Sequence, residues 1–484
     1  MILNGPGSST TFDEMTSAQN ASIVNYGFGQ TIFEGNSTAG SANISNLLLG
    51  LTRFEGGSNA GNATINNALL GLTVFGDKSS AGKASINNFL LGSTWFTDWS
   101  SAGSATITND FGGSTFFTGS SSANYATVVN NFGGIVDISG HNGGIAIGAL
   151  SGAGNVFLGG NNLTTGGLNT STTISGIISD GGLFGGVGGS LTKIGSGILT
   201  LSGANTYTGG TTLAGGTILT QNASALGTGP VAFFNGTTLA VQGLLNVNGN
   251  WTVNPGTATV NGGQVNTFGD FNLGGGGTLI ANANFNVPGA ASVNSSGLVI
   301  NKQFTVSGDV DLNGNSNVVV NGVLQAPVVD VNNTASLVVN QPGLVSANVN
   351  VNQIASLALY GQINGNVNNA GFFNGTGVVN GSVTNSGTIA PGASVGQLTV
   401  NGNYTQTSSG SYEMEVAGSN SFDRLVVNGN ASLAGTLEVV PLGYKLSYGQ
   451  KFEGFLQASR LAESSTRCLC RRDSAGVCWR MMGP

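Results

Sequence analysis

Residues 43–63 read NISNLLLGLTRFEGGSNAGNA, and residues 64–84 read TINNALLGLTVFGDKSSAGKA. Laid one over the other, Ile44 falls on Ile65, Asn46 on Asn67, Gly50 on Gly71, Phe54 on Phe75 and Ala60 on Ala81. The step of 21 holds outward from this pair. It links Phe12, Phe33, Phe54, Phe75, Phe96 and Phe117, and likewise Ala18, Ala39, Ala60, Ala81, Ala102 and Ala123. The same register carries Ala21 to Ala126, Ile23 to Val128, Asn25 to Asn130 and Gly29 to Gly134. A repeat of fixed period in this size range marks a solenoid, in which each copy buries its apolar face only against its neighbours.

Twenty-one is a multiple of seven, so a coiled coil has to be tested first. A heptad seam alternates steps of three and four. Here Phe12, Ala18, Ala21 and Ile23 are separated by six, three and two, and the spacers are Gly, Asn, Ser and Thr, which are poor helix formers. Strand geometry fits better. Thr31 and Phe33 are two apart, as are Ala42 and Ile44, so each pair shares one side of a strand. At ~3.3 Å per extended residue, 21 residues make a loop of about 70 Å. That suits one rung of a parallel β-helix with three short faces. The expected fold is therefore all-β: a parallel β-helix of about 21-residue rungs, ~4.8 Å apart. Phenylalanines should stack on one another, and the asparagines should form a ladder at a turn, where left-handed geometry suits them.

Composition agrees with stacked rungs. Glycine supplies 82 of 484 residues, and only 7% are charged, against ~25% in ordinary domains. The hydrophobic fraction of 39% and its periodicity separate the chain from disordered segments, which pair low hydrophobicity with high net charge. A net charge of −7 without a basic patch argues against nucleic-acid binding. No apolar run approaches ~18 residues, so no transmembrane helix is expected. The start, MILNGPGSST, lacks the basic and apolar regions of a signal peptide.

Along the chain, six repeats at 1–134 give way to Gly-rich degenerate rungs or a connector at 135–190. Residues 191–219 read LTKIGSGILTLSGANTYTGGTTLAGGTIL. The segment resembles the autotransporter-associated β-strand repeat through Leu191, Thr192, Lys193, Gly195, Gly197, Leu199, Thr200, Leu201, Ser202, Gly203, Asn205, Thr206, Tyr207, Gly209, Gly210, Thr211, Gly216 and Thr217. We assign it to 191–229, followed by irregular rungs at 230–382. Residues 383–452 then resemble the C-terminal passenger segment of type V (autotransporter) proteins. Pro391, Gly392, Ser394, Gly396, Leu398, Asn401, Gly402, Tyr404, Asp423, Leu425, Val427, Gly429, Ala431, Leu433, Gly435 and Leu437 carry that likeness. The Gly/Asn/Thr pattern stops in the stretch 453–484, which holds Cys468, Cys470 and Cys478. This tail reads as aberrant, out-of-frame sequence in place of the family's translocator β-barrel, so the chain is expected to be a fragment.

Motifs with chemical connotations are explained by turns. Gly392-Ala393-Ser394-Val395-Gly396 spells the nucleophile elbow of α/β-hydrolases, which needs a strand–turn–helix and a later histidine. The sole histidine, His141, is upstream and reads as an exposed loop residue. Gly82-Lys83 mimics a phosphate loop, but Ala84 stands where Ser or Thr is required. The glycines at 274–277 have no lysine after them. Asp309 and Asp311 read as solvated carboxylates outside Val310 and Leu312, and the three cysteines lack zinc spacing. No catalytic, cofactor-binding or metal-ligating residue is expected, and no cofactor. The resemblance implies a non-catalytic cell-surface passenger, exported through an outer-membrane barrel, with adhesive contacts to host cells, matrix or other copies. Recognition would fall to variable positions such as Arg53, Lys78, Trp95 and Trp99. The alternatives are a β-helix enzyme acting on polysaccharide and a non-functional remnant.

Overall fold

A computed structural model describes residues 1–447 and 449–457, and every regular element among them is a β-strand. The cysteine-bearing tail lies outside the described residues. The described residues form two compact units: Met1–Gly249 with Asn261–Val265, and Asn250–Val260 with the described residues from Asn266 to Gln457.

In the first unit each 21-residue copy makes one rung with three faces. One face stacks Ile2–Asn4, Ser22–Tyr26, Asn43–Leu47, Thr64–Ala68, Ser85–Asn88 and Thr106–Asn109, all parallel. A second stacks Ser9–Phe12, Gln30–Phe33, Leu51–Phe54, Leu72–Phe75, Ser93–Phe96 and Ser114–Phe117. The third is a line of single bridges from Ser17 through Thr38, Asn59, Ser80 and Ser101 to Ser122. Every partner lies one period away. Phe33, Phe54, Phe75, Phe96 and Phe117 are fully buried. Their rings stack with centroids 4.7–5.1 Å apart and planes within 10°, each side chain contributing ~1.5–3 kcal/mol by leaving water.

The asparagine column forms a ladder as expected, but inside the core and within strands. Asn25, Asn46, Asn67, Asn88 and Asn109 are buried, and the left-handed turn residues are others. Burial is sustainable because each amide is saturated. Asn46 Oδ1 accepts from Asn25 Nδ2 (2.8 Å) and from the Thr52 hydroxyl (2.8 Å). Its Nδ2 donates to Asn67 Oδ1 (2.8 Å) and Thr73 Oγ1 (3.1 Å). An asparagine side chain has two donor hydrogens and two acceptor lone pairs, so nothing is left over. The ladder runs unbroken from Asn4 to Asn130. The glycine column has a related cause. A Cβ on Gly50, Gly71 or Gly92 would sit 2.0–2.1 Å from the carbonyl oxygen of Asn25, Asn46 or Asn67.

Past the ladder the rungs loosen. Ile135–Asp137 still pairs with Ser114–Phe117, and Asn155–Phe157 with Ile135–Asp137. Ala123–Asn130 meets Ile145–Ser151 with a register shift. In the second unit the interior is aliphatic, with an aromatic group of Trp251, Phe271, Phe285 and Phe304 packed mostly edge-on at 5.1–6.0 Å. A column of its asparagines climbs the outside: Asn301 donates to Asn282, Asn321 to Asn301 and Asn340 to Asn321, at 2.6–2.8 Å, while Asn369 donates to Asn385 (2.8 Å) inside.

The turn between the first two faces has an unusual composition. Leu48-Leu49, Leu69-Leu70 and Leu90-Leu91 all have positive φ, between 48° and 68°, as both central residues of a type I′ turn require. Left-handed backbone costs a non-glycine residue about 1–2 kcal/mol. The equivalent turns at Phe111-Gly112 and Phe132-Gly133 put glycine at the left-handed position and avoid that cost.

Candidate contact surface

The residues that recur every 21 positions point inward, so only outward positions differ from rung to rung. Arg53 and Trp95 occupy one outward column of the second face, running Ile32, Arg53, Val74, Trp95 and Phe116. Arg53 is engaged by Glu55 through Nε (2.7 Å) and a salt bridge. Trp95 is half-buried and stacks on Phe116, centroids 4.3 Å apart. Lys78 and Trp99 are exposed at equivalent turn positions of successive rungs, the Trp99 N–H donating to the Asp77 carbonyl (2.9 Å). The four side chains therefore fall in two places, a strand face and a turn.

The motif-like segments behave as turns. Ser394 is exposed between Thr388–Pro391 and Gln397–Val400, with Gly392 at φ 104°. Among the described residues no helix follows it. Lys83 is exposed beside the buried Ala81 and Ala84. Gly275 and Gly276 have the positive φ of a turn. His141 differs from expectation: it is half-buried, with Nε2 2.8 Å from the Ser121 carbonyl of the rung before. Val310 and Leu312 are buried as expected. Asp311 pairs in register with Asp330, and partial burial, then Asp330 and Asp309, push its carboxyl above the usual range. Among the described residues no group of three His, Cys, Asp or Glu could hold a metal ion, and no helix is long and apolar enough to cross a membrane.

Buried ionisable groups escaped sequence reading, Lys193 and Asp423 among them. Lys193 is buried and its ammonium donates to the carbonyls of Ile194 (2.7 Å), Gly195 (2.9 Å) and Gly215 (3.3 Å). Burial lowers its pKa. Asp423, also buried, accepts from the N–H groups of Gly396 (2.7 Å) and Glu415 (2.8 Å). Desolvation, then the nearby Glu415 and Glu413, outweigh those hydrogen bonds and raise its pKa to about 6.

Lys193 belongs to a rung whose polar residues are turned inward as ties. Ser190–Lys193 pairs with Thr211–Leu213, and Ile198–Leu201 with Thr217–Thr220. Asn205 Oδ1 accepts from the Ile178 N–H (2.8 Å) and its Nδ2 donates to the Ala225 carbonyl (2.6 Å). Tyr207 is buried with its hydroxyl on Thr211. These are the residues that carried the first sequence resemblance, and a family comparison agrees. Residues 191–219 match the family model of the passenger-associated-transport-repeat. The transport repeat is typical of autotransporter passengers, and a β-solenoid of about 21 residues per turn fits one. A passenger relation implies a surface or extracellular location. No curated protein matches the sequence significantly.

The second unit adds a polar groove of about 440 Å³ on its outer face, where Asn348 and Asn366 form one wall column and Asn350 and Asn368 the next. Part of this amide surface is internally paired, Asn368 donating to Asn350 (2.9 Å) and Asn350 to Asp330 (2.7 Å).

Proposed function

We propose that the chain is a non-catalytic passenger displayed at the cell surface, a β-solenoid stalk whose outward rungs make adhesive contacts with host cells, matrix or neighbouring copies. The observation that carries this reading is the transport repeat at 191–219, built as a rung of the same parallel stack as the 21-residue copies. Within it Lys193, Asn205, Tyr207 and Thr211 are buried and hydrogen-bonded, which suits a structural role. Display rather than chemistry is also supported by the outer surface, where polar side chains pair with one another along the stack.

The test is proteolytic shaving of intact producing cells, with a broad-specificity protease because lysine and arginine are sparse, followed by peptide mass spectrometry. Peptides from the solenoid should appear before lysis. Their recovery only after lysis contradicts surface display. Turnover of a pectin-like polymer that is abolished by Asp309→Asn with Asp311→Asn would contradict the non-catalytic assignment.

A further inference from the structure

The left-handed turns of the first unit build an apolar ridge. One column runs Leu48, Leu69, Leu90, Phe111 and Phe132, and the adjacent one Phe28, Leu49, Leu70 and Leu91. All nine side chains are exposed, from 42% at Leu49 to 76% at Phe132. Where one position of a turn is glycine, as at Gly27, Gly112 and Gly133, the other is phenylalanine, so no turn from Phe28 to Phe132 lacks a large apolar side chain. The ridge is stiff, because the turns are themselves hydrogen-bonded. Leu69 N donates to the Leu90 carbonyl (2.8 Å), Leu90 N to Phe111 (2.9 Å) and Leu91 N to Gly112 (3.1 Å).

This surface runs against the fold's own preferences. Glycine fits the left-handed position without strain, as the rungs at Gly112 and Gly133 demonstrate, yet three successive turns hold leucine at both strained positions. Strain kept at an exposed site points to a use for the side chain. With ~180–220 Å² for a fully exposed Leu or Phe, the ridge offers on the order of 1,000 Å² of apolar surface. Monomers rarely show patches beyond about 300–600 Å², and a stable interface takes about 800 Å² from each partner.

We infer that this ridge is a self-association surface, occupied by the ridge of a second copy of the chain. Two features select that partner. Both ridges carry knobs one rung apart, so a second copy meshes with it in register along the whole length. The turn residues are almost uncharged, Asp110 being the only ionised side chain in the stretches 26–29, 47–50, 68–71, 89–92, 110–113 and 131–134, so two copies meet without repulsion despite the net charge of −7. A lipid surface is the lesser match, since membrane-binding apolar faces are flanked by Lys and Arg and these stretches contain neither. The inference does not depend on surface display, because it concerns the purified chain.

Sedimentation equilibrium of the full chain should show a dimer with a dissociation constant in the micromolar range or tighter. Replacing the three leucine pairs with Asn-Gly (Leu48→Asn, Leu49→Gly, Leu69→Asn, Leu70→Gly, Leu90→Asn, Leu91→Gly) installs the pair that type I′ turns favour. This variant should be monomeric, with an unchanged or higher melting temperature. In the wild-type chain, amide exchange at 47–50, 68–71 and 89–92 should slow as concentration rises. A monomeric wild-type chain, a variant that dimerises as well as wild type, or concentration-independent exchange at those turns overturns the inference. So does a monomer that floats with phosphatidylcholine vesicles, which would assign the ridge to lipid.

Discussion

The repeats of the first unit and the rungs after residue 266 are both parallel β-solenoid, yet one keeps time and the other does not. Up to Asn130 the step is 21 at every buried amide. In the second unit the outer asparagines are linked by steps of 19, 20, 18, 16, 21 and 27. The two differ in where the amide columns sit, the second unit's buried pair of Asn369 and Asn385, at a step of 16, ending on the carbonyl of Ser411 rather than continuing as a column. A buried amide whose four hydrogen-bonding groups are all used needs its partner one rung away in one orientation, and an inserted residue orphans it at ~1–3 kcal/mol per group. An outer amide that loses its partner turns to water, and an aliphatic core of Val and Leu accepts neighbours in several registers. The strict period ends where the ladder ends: Asn109 and Asn130 turn their Nδ2 groups to the carbonyls of Ile135 and Asn155. The buried ladder, in this account, sets the period.

Deletions test the comparison most severely. Removing residues 43–63, one whole period, should leave a folded chain, because Ser22–Tyr26 then meets Thr64–Ala68 in the same register. Removing 44–63 shifts every later inward residue to the other side of its strand and should abolish cooperative unfolding of the first unit. Circular dichroism melts separate the two outcomes. Equal tolerance of both deletions would break the comparison.

A smaller effect is expected from pH in the second unit. The buried polar groups of the ladder are neutral, whereas Asp423 carries a carboxyl raised to about 6. An acid with a raised folded pKa binds its proton more tightly when folded. Its stabilising contribution is complete below its unfolded value, ~3.9, and is lost as pH rises through about 6. The melting temperature of the second unit should therefore fall between about pH 4 and 6, and Asp423→Asn should flatten that part of the profile. An identical slope in the variant would contradict the assignment.

Much of the fold was legible because strand periodicity and a 21-residue repeat leave the same mark wherever they occur. Phe33, Ala42, Ile44, Val310 and Leu312 are where alternation puts them. The asparagine column was legible as a ladder but not in its place, since asparagine suits both left-handed turns and stacked amides; only the neighbouring Thr31 column, which completes its hydrogen bonds, distinguishes the two. The exposed leucines carry no sign in the pattern, because the sign of φ is not written in a leucine. Lys193 and Asp423 were hidden for a different reason. Such residues are almost never fully buried unless paired, and their partners are backbone groups contributed by separate turns or rungs. Arg53, Lys78, Trp95 and Trp99 were singled out as variable, and the stack divides them between a face and a turn.

The ladder's role is tested most directly by hydrogen exchange on two single substitutions. Asn67→Val removes a buried amide: Asn46 Nδ2 and the Thr73 hydroxyl each lose an acceptor, and Asn88 Oδ1 and Thr94 Oγ1 each lose a donor. Asn321→Val removes an outer amide between Asn301 and Asn340. The account predicts faster exchange across the rungs on both sides of Asn67, from about residue 43 to 109, and a change confined to the immediate neighbours of Asn321. Equal and local effects at the two sites would show that the buried amides do not hold the period.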